Sequence, residues 1–264
     1  MSQGLASLTV TDSALGGNTA SSSGGGIFST GRFAVRGLVT IDGDNNQLAS
    51  GMLMLGAGDT LILAGLGTID GSLSTAGTLA LGDITGPGQL TISGGLTNSG
   101  TVLIGPGADL SVGGNYIQTA GATQLDSGQL TAIGLVDLEG GVLGGTGTVN
   151  ANVLNNAEVD AGQPGSPGLL TILGDYTQTA GGVLVVEIGG PNTGTDFDQI
   201  NVTGQATLDG TLTVNLTGGF VPNSGDSFQV LTFGSGTGVF ATVNGDGPLF
   251  AASYDPVDVI LVAN

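Results

Sequence analysis

Short runs of alternating apolar and polar residues, each closed by glycine, asparagine, aspartate or proline, make up most of this chain. In TLTVNL (211–216), Leu212, Val214 and Leu216 fall on one face and the Thr and Asn residues on the other. In GTVLIG (100–105), Val102 and Ile104 share a face. A period of two over four to six residues, rich in β-branched side chains, predicts strands. No stretch carries the i, i+3, i+4, i+7 apolar spacing with caps, so almost no helix is expected.

The strands recur in register with one another. GLGTIDGSLSTAGTLALGDITGPGQLTI (65–92) aligns without a gap on GTGTVNANVLNNAEVDAGQPGSPGLLTI (145–172), with nine identities at an offset of 80. GNYIQTAGA (114–122) returns as GDYTQTAGG (174–182) at an offset of 60, and carries two of the three tyrosines. LSTAGTLALG (73–82) and LTNSGTVLIG (96–105) match at 23. A unit of 20–23 residues is therefore present or absent between matching segments, which is how a solenoid behaves. Stacked short strands with glycine-rich corners predict an all-β chain built as a right-handed parallel β-helix. Roughly eight coils, about 40 Å long at ~4.8 Å per coil, are expected over residues 1–182. In this reading Tyr116 and Tyr176 mark one structural place in the coil.

From residue 183 the runs lengthen: VLVVEIGG (183–190), FDQINVTG (197–204), ATLDGTLTVNL (206–216), DSFQVLTF (226–233), GVFATV (238–243) and VDVILVAN (257–264). Six of the eight phenylalanines lie after residue 196. Residues 183–264 are accordingly expected to form a more antiparallel cap, because an uncovered coil end exposes strand edges.

Composition narrows the chemistry. The 264 residues include 53 glycines, without the every-third spacing of collagen, and 39% hydrophobic residues, enough for a core of Leu, Val, Ile and Ala. Cys, His and Lys are absent, so disulfides and the usual transition-metal ligands are excluded. The net charge of −19, with Arg32 and Arg36 the sole cations, excludes nucleic acid as a partner, since binding it relies on neutralising phosphates. No apolar run approaches the roughly 20 residues that span a bilayer, so direct membrane insertion is not expected. The start, MSQGLASLTV, lacks a charged region followed by an apolar one; the reading is a fragment of a longer secreted chain, with export signals outside it.

Several phrases resemble known families. GSPGLLTILGDYTQTAGGVLVVEIGG, TDFDQINVTGQATLDGTLTVNL, FVPNSGDSFQVLTF and GVFATV, within 145–243, look like the end of autotransporter-type bacterial surface β-helix passengers. LTVTDSALGGNTASSSGGGIFSTGRFAV (8–35) resembles the GGGI-type rungs of polymorphic outer-membrane proteins and pectate-lyase-like β-helices. The resemblance implies an extracellular or cell-surface location. It also implies an autochaperone-like end segment that nucleates folding and closes the coil. No outer-membrane barrel or sorting signal is present in these residues, so membrane attachment does not follow.

Three functions remain in view. The first is a non-enzymatic structural or adhesive module whose partners are surface carbohydrate, other surface proteins or neighbouring domains. The second is a carbohydrate-active enzyme on the same fold. A lyase would need a cation, and Arg32 and Arg36 of GRFAVRG share an outward face. A glycosidase would need two carboxylates about 5–9.5 Å apart, for which Asp42 with Asp44 and Asp196 with Asp198 are the i, i+2 pairs. Each pair also sits in turn sequence, where Asp serves local hydrogen bonds. The third is a calcium-dependent module. DGDNN places Asp42, Asp44 and Asn46 at the first, third and fifth positions of a calcium-like loop, but Gln47 and Leu53 break the pattern at the sixth and twelfth. No other cofactor is indicated, and no catalytic residue is assigned.

Overall fold

A computed structural model describes residues 7–18, 32–82, 86–163 and 165–264. The GGGI segment lies outside the described residues. The described chain is all-β, with a single 3-10 turn at Gly247–Leu249 and no α-helix among the described residues. Contacts divide it into two units, Met1–Leu135 and Val136–Asn264.

In the first unit the strands stack in parallel. Arg32–Leu55 pairs with Ser7–Asn18 on one side and Thr60–Thr75 on the other. Thr60–Thr75 then carries three separate strands, Thr78–Leu81, Gly88–Ile92 and Leu96–Asn98. Those carry Thr101–Ile104, Asp109–Val112 and Tyr116–Gln118 in turn. The first part of Ala122–Leu138 lies on Thr101–Ile104 and Asp109–Val112. Each strand thus sits on chain 18–26 residues earlier, as in Thr60↔Thr78, Leu73↔Leu96 and Leu15↔Ile41.

Because the register is parallel and the side-chain period is two, equivalent residues form inward columns. One column runs Leu61, Leu79, Val102 and Thr123; another runs Gly67, Leu90, Leu110 and Leu130. The apolar members of both columns are fully buried. Each such Leu or Val contributes about 1.5–3 kcal/mol relative to exposure.

The second unit begins the same way. Val142–Asn155 carries Glu158–Gln163, Leu169–Ile172 and Tyr176–Gln178 in parallel, the last two at 23 residues (Gly147↔Leu170, Val153↔Tyr176). The spacing then grows to 28 at Val183↔Thr211 and to 30–31 at Leu169↔Gln199, Ile200↔Leu231 and Thr211↔Thr242. The added residues go into the segments 189–198 and 217–226, between strands, rather than into a change of strand direction.

Parallel pairing therefore continues well past residue 183. Antiparallel pairs among the described residues are Asp258–Ala263 against Ser227–Gly238 and Phe250–Asp255, a short return at Ser166–Pro167, and a single bridge between Ile188 and Phe197. Phe228 lies at the centre of this last region, 5.4–6.1 Å from the rings of Phe197, Phe220 and Phe250 and nearly perpendicular to each. Edge-to-face pairs of this kind add about 0.5–1.5 kcal/mol each beyond the area they bury.

Candidate functional site

Strand alternation would place two acids of the second unit in solvent. In Glu158–Gln163, Val159 and Ala161 point inward, which sends Asp160 outward; in Val183–Ile188, Leu184, Val186 and Ile188 point inward, which sends Glu187 outward. The two strands are neighbours, with Asp160 opposite Val185 and Glu187 two residues further on. Yet Asp160 and Glu187 are each only 7% exposed, and Asp198 is fully buried.

The cover is a strap that includes residues 162–163 and 165–168. At Gly162 (φ +107°) the chain leaves the strand and doubles back, pairing Gly162 with Pro167 and Gln163 with Ser166. Only glycine accepts that backbone there, since an added Cβ would stand 2.3 Å from the Ser166 carbonyl oxygen. The strap is pinned by its amides. Gly165 N–H donates to Glu187 Oε1 at 2.7 Å, and Gly168 N–H donates to Asp198 Oδ1 at 2.7 Å. The Glu187 amide donates to Asp198 Oδ2 at 2.6 Å, and the Asp198 amide donates back to the Glu187 carbonyl at 3.0 Å.

Two oxygens in this cluster, Asp160 Oδ1 and Glu187 Oε2, are buried without a hydrogen-bond partner. Burial, then the charges of Glu187 and Glu158, push the Asp160 carboxyl up to about 7. Burial pushes Asp198 up to about 8, against the two amide bonds and with the charges of Asp160 and Glu187 adding to it. Residues 136–264 contain no Lys, Arg or His, so no side chain of this unit can neutralise the cluster.

The residues singled out from sequence have other surroundings. Asp198 enters the cluster, but Asp196 does not pair with it: Asp196 accepts from the backbone and side-chain nitrogens of Asn192 in the turn before Phe197. Asp42, Asp44 and Asn46 run along the strand Arg32–Leu55, which shifts register between Gly43 and Asn46. The side chains of Asp42, Asp44 and Asn46, like those of Arg32 and Arg36, lie outside the described residues. Among the described residues, no three His, Cys, Asp or Glu side chains converge as metal ligands. Nor is any described helix long and apolar enough to cross a membrane. Sequence reasoning missed Asp160 and Glu187; the available signal was an acid set between two apolar residues, in VDA (159–161) and VEI (186–188).

Both repeated tyrosines are fully buried. Tyr176 O–H donates to Gln178 Oε1 at 2.7 Å and accepts from Asn155 Nδ2 at 3.0 Å. Tyr116 meets the Thr123 hydroxyl, which donates to Gln118 Oε1 at 2.6 Å. Two clefts also open in the second unit. One of about 310 Å³ is lined by Pro191, Phe220, Asn223, Asp226, Ser227 and Phe228, and one of about 260 Å³ includes Phe233, Tyr254 and Asp255. Asp226 in the first cleft is occupied by the amide and side chain of Asn223. No family model and no curated protein matches this sequence.

Proposed function

We propose that this chain is a right-handed parallel β-helix with a capping end, and that it serves as a non-enzymatic structural or adhesive module of a secreted bacterial surface protein of the autotransporter type. The observation that carries the reading is the run of inward columns, in which successive parallel strands repeat apolar residues and amide side chains at the same places. Parallel connections of this kind are right-handed in nearly all cases. The division at about 182/183 then separates regular coils from a segment with longer repeats, a phenylalanine cluster and antiparallel closing strands, a composition suited to covering the coil end. Partners of such a module are surface carbohydrate, other surface proteins and the flanking domains of a longer chain.

One observation favours a second reading, a carbohydrate-active enzyme. Asp160 and Asp198 are carboxyls raised into the range of a general acid. Their near-complete burial opposes it, since a sugar chain would have to displace residues 165–168 to reach them. Incubating the protein with a panel of neutral and acidic polysaccharides and measuring new reducing ends or unsaturated products decides between the two. Binding without turnover is expected; product formation that Asp198→Asn abolishes would establish the enzyme instead.

A further inference from the structure

The closing strands cover the last layer of the second unit on one side only. Asp258–Ala263 lies along residues 227–232 of the strand Ser227–Gly238. Residues 235–238 of that strand lie on 205–208, and Thr242–Gly245 lies on 211–214. Among the described residues, no strand lies on the far side of either. The amides of Thr242 and Asp246 donate to the carbonyls of Gly210 and Val214 beneath them. Successive residues of a strand turn their N–H and C=O to opposite sides, so Val243 turns both away from the stack. Ser235, Thr237, Gly238, Thr242 and Asn244 are exposed.

An open edge is a template for another strand, and proteins ordinarily guard it with charge or proline. Residues 235–245 carry neither, and the charge-free run extends from 227 to 245 in a chain with 21 acids. Beside the edge lies the cleft of about 260 Å³, whose lining includes Leu208, Phe233, Thr237 and Tyr254. The Phe233 ring lies against Gly236, where an added Cβ would stand 2.3 Å from it. Gly238 and Pro256 also line the cleft, and the residues that follow them, Val239 and Val257, are each 52% exposed. Strand addition uses these two parts together, main-chain bonds along an edge and an adjoining pocket for side chains.

We propose that this edge pairs with the same edge of a second copy of the chain, in a two-fold dimer where the exposed valines of each copy cover the cleft of the other. Charge selects that occupant. The net charge of −19 holds copies apart over most of their surface, and the uncharged run is where two of them can meet. A cationic partner would find its counter-charges elsewhere, since Asp255 is the one charged residue lining the cleft. Two-fold pairing closes on itself, because each copy brings to its partner the same strand, valines and cleft that it offers. The edge is short. The dimer therefore belongs to the weak, transient class, with half-association at about 0.1 mM.

Sedimentation velocity on the full chain, from about 10 µM to about 1 mM, tests the proposal. A monomer–dimer equilibrium is expected. Raising the salt from about 0.03 M to about 0.3 M should strengthen it about threefold or more, because the repulsion between copies is screened. Val239→Asp and Val257→Asp should each weaken it about tenfold or more. Ile133→Asp, at an exposed residue of the first unit, should leave it unchanged. Over the same concentration range, amide exchange at Val243 should slow about threefold or more while Leu212 in the layer beneath keeps its rate. A monomer at every concentration, association that salt weakens, a dimer that survives both aspartates, or unchanged exchange at Val243 overturns the proposal. So does growth beyond the dimer, the mark of a head-to-tail contact that does not close. Should an aspartate variant not fold, exchange at Val243 in the unsubstituted chain still decides.

Discussion

Asn155 is fully buried, yet every polar atom of its side chain is engaged. Its Oδ1 accepts from the Ala157 amide at 3.0 Å, and its Nδ2 donates to the Val183 carbonyl and the Tyr176 hydroxyl, each at 3.0 Å. Asn98 repeats the arrangement in the first unit: Oδ1 accepts from Gly100 N at 2.9 Å and Nδ2 donates to the Ala122 carbonyl at 3.2 Å. Each asparagine thus closes its own turn and ties it to the next strand in the stack. Asn155→Ala should cost about 2–4 kcal/mol, because it strands buried groups at ~1–3 kcal/mol each and removes packing. Tyr176→Phe should cost about 1 kcal/mol, since Asn155 keeps its bond to Val183. Chemical denaturation with both variants checks the order; equal, negligible losses would mean that water replaces the amide. The repeated tyrosine phrase is legible in the sequence as one structural place. The inward asparagines are not, because NSG and NNA also read as ordinary turn sequence, and nothing local says that the first residue of the turn faces the core.

At the scale of the element, turns stack as closely as strands do. Gly77, Gly100 and Gly121 occupy one position in three successive layers, with Thr78↔Thr101 and Ala122↔Thr101 setting the register. A Cβ on Gly100 would stand 2.1 Å from the Gly77 carbonyl oxygen and 2.6 Å from the Ala76 carbonyl carbon. Both obstacles are backbone, so no rotamer change relieves them. Gly100→Ala should therefore destabilise by about 1–3 kcal/mol, the usual cost of overpacking. Gly86→Ala, which meets nothing within 4 Å, should stay within about 0.5 kcal/mol. Thermal melts of the two variants make the comparison, and equal midpoints would refute the close turn-to-turn contact. Alternation makes the strands readable from sequence, and the glycines mark their corners. The strap over Asp160 and Glu187 is different in kind. Period-two patterning says which face of a strand an acid takes, but burial on the outer face is decided by a segment that folds back over it, and GQPGSPG reads only as a turn. The acid cluster was visible from Asp198 alone for the same reason.

For the molecule as a whole, stacking by layers implies that stability is close to a sum of intrinsic layer terms and nearest-neighbour terms. Within the first unit this can be tested by removing one layer. Leu73 lies opposite Leu96, Thr78 opposite Thr101 and Gln89 opposite Asp109, so deleting 73–95 hands each lost strand's place to its neighbour in the stack. Leu96 would follow Ser72, and the strands Thr101–Ile104 and Asp109–Val112 would come to lie on residues 60–72. The inward columns would then continue with Leu61 beside Val102 and Ile69 beside Val112. Deleting 73–84 instead removes about half a layer and sets apolar residues against corners. The full-layer deletion should keep a β-type far-ultraviolet spectrum and a single cooperative melt, lower by no more than about 10 °C, since one layer's worth of identical contacts is lost. The half-layer deletion should aggregate or melt without cooperativity. If both deletions unfold alike, successive layers are not interchangeable, and the stacked-coil architecture proposed for this chain fails.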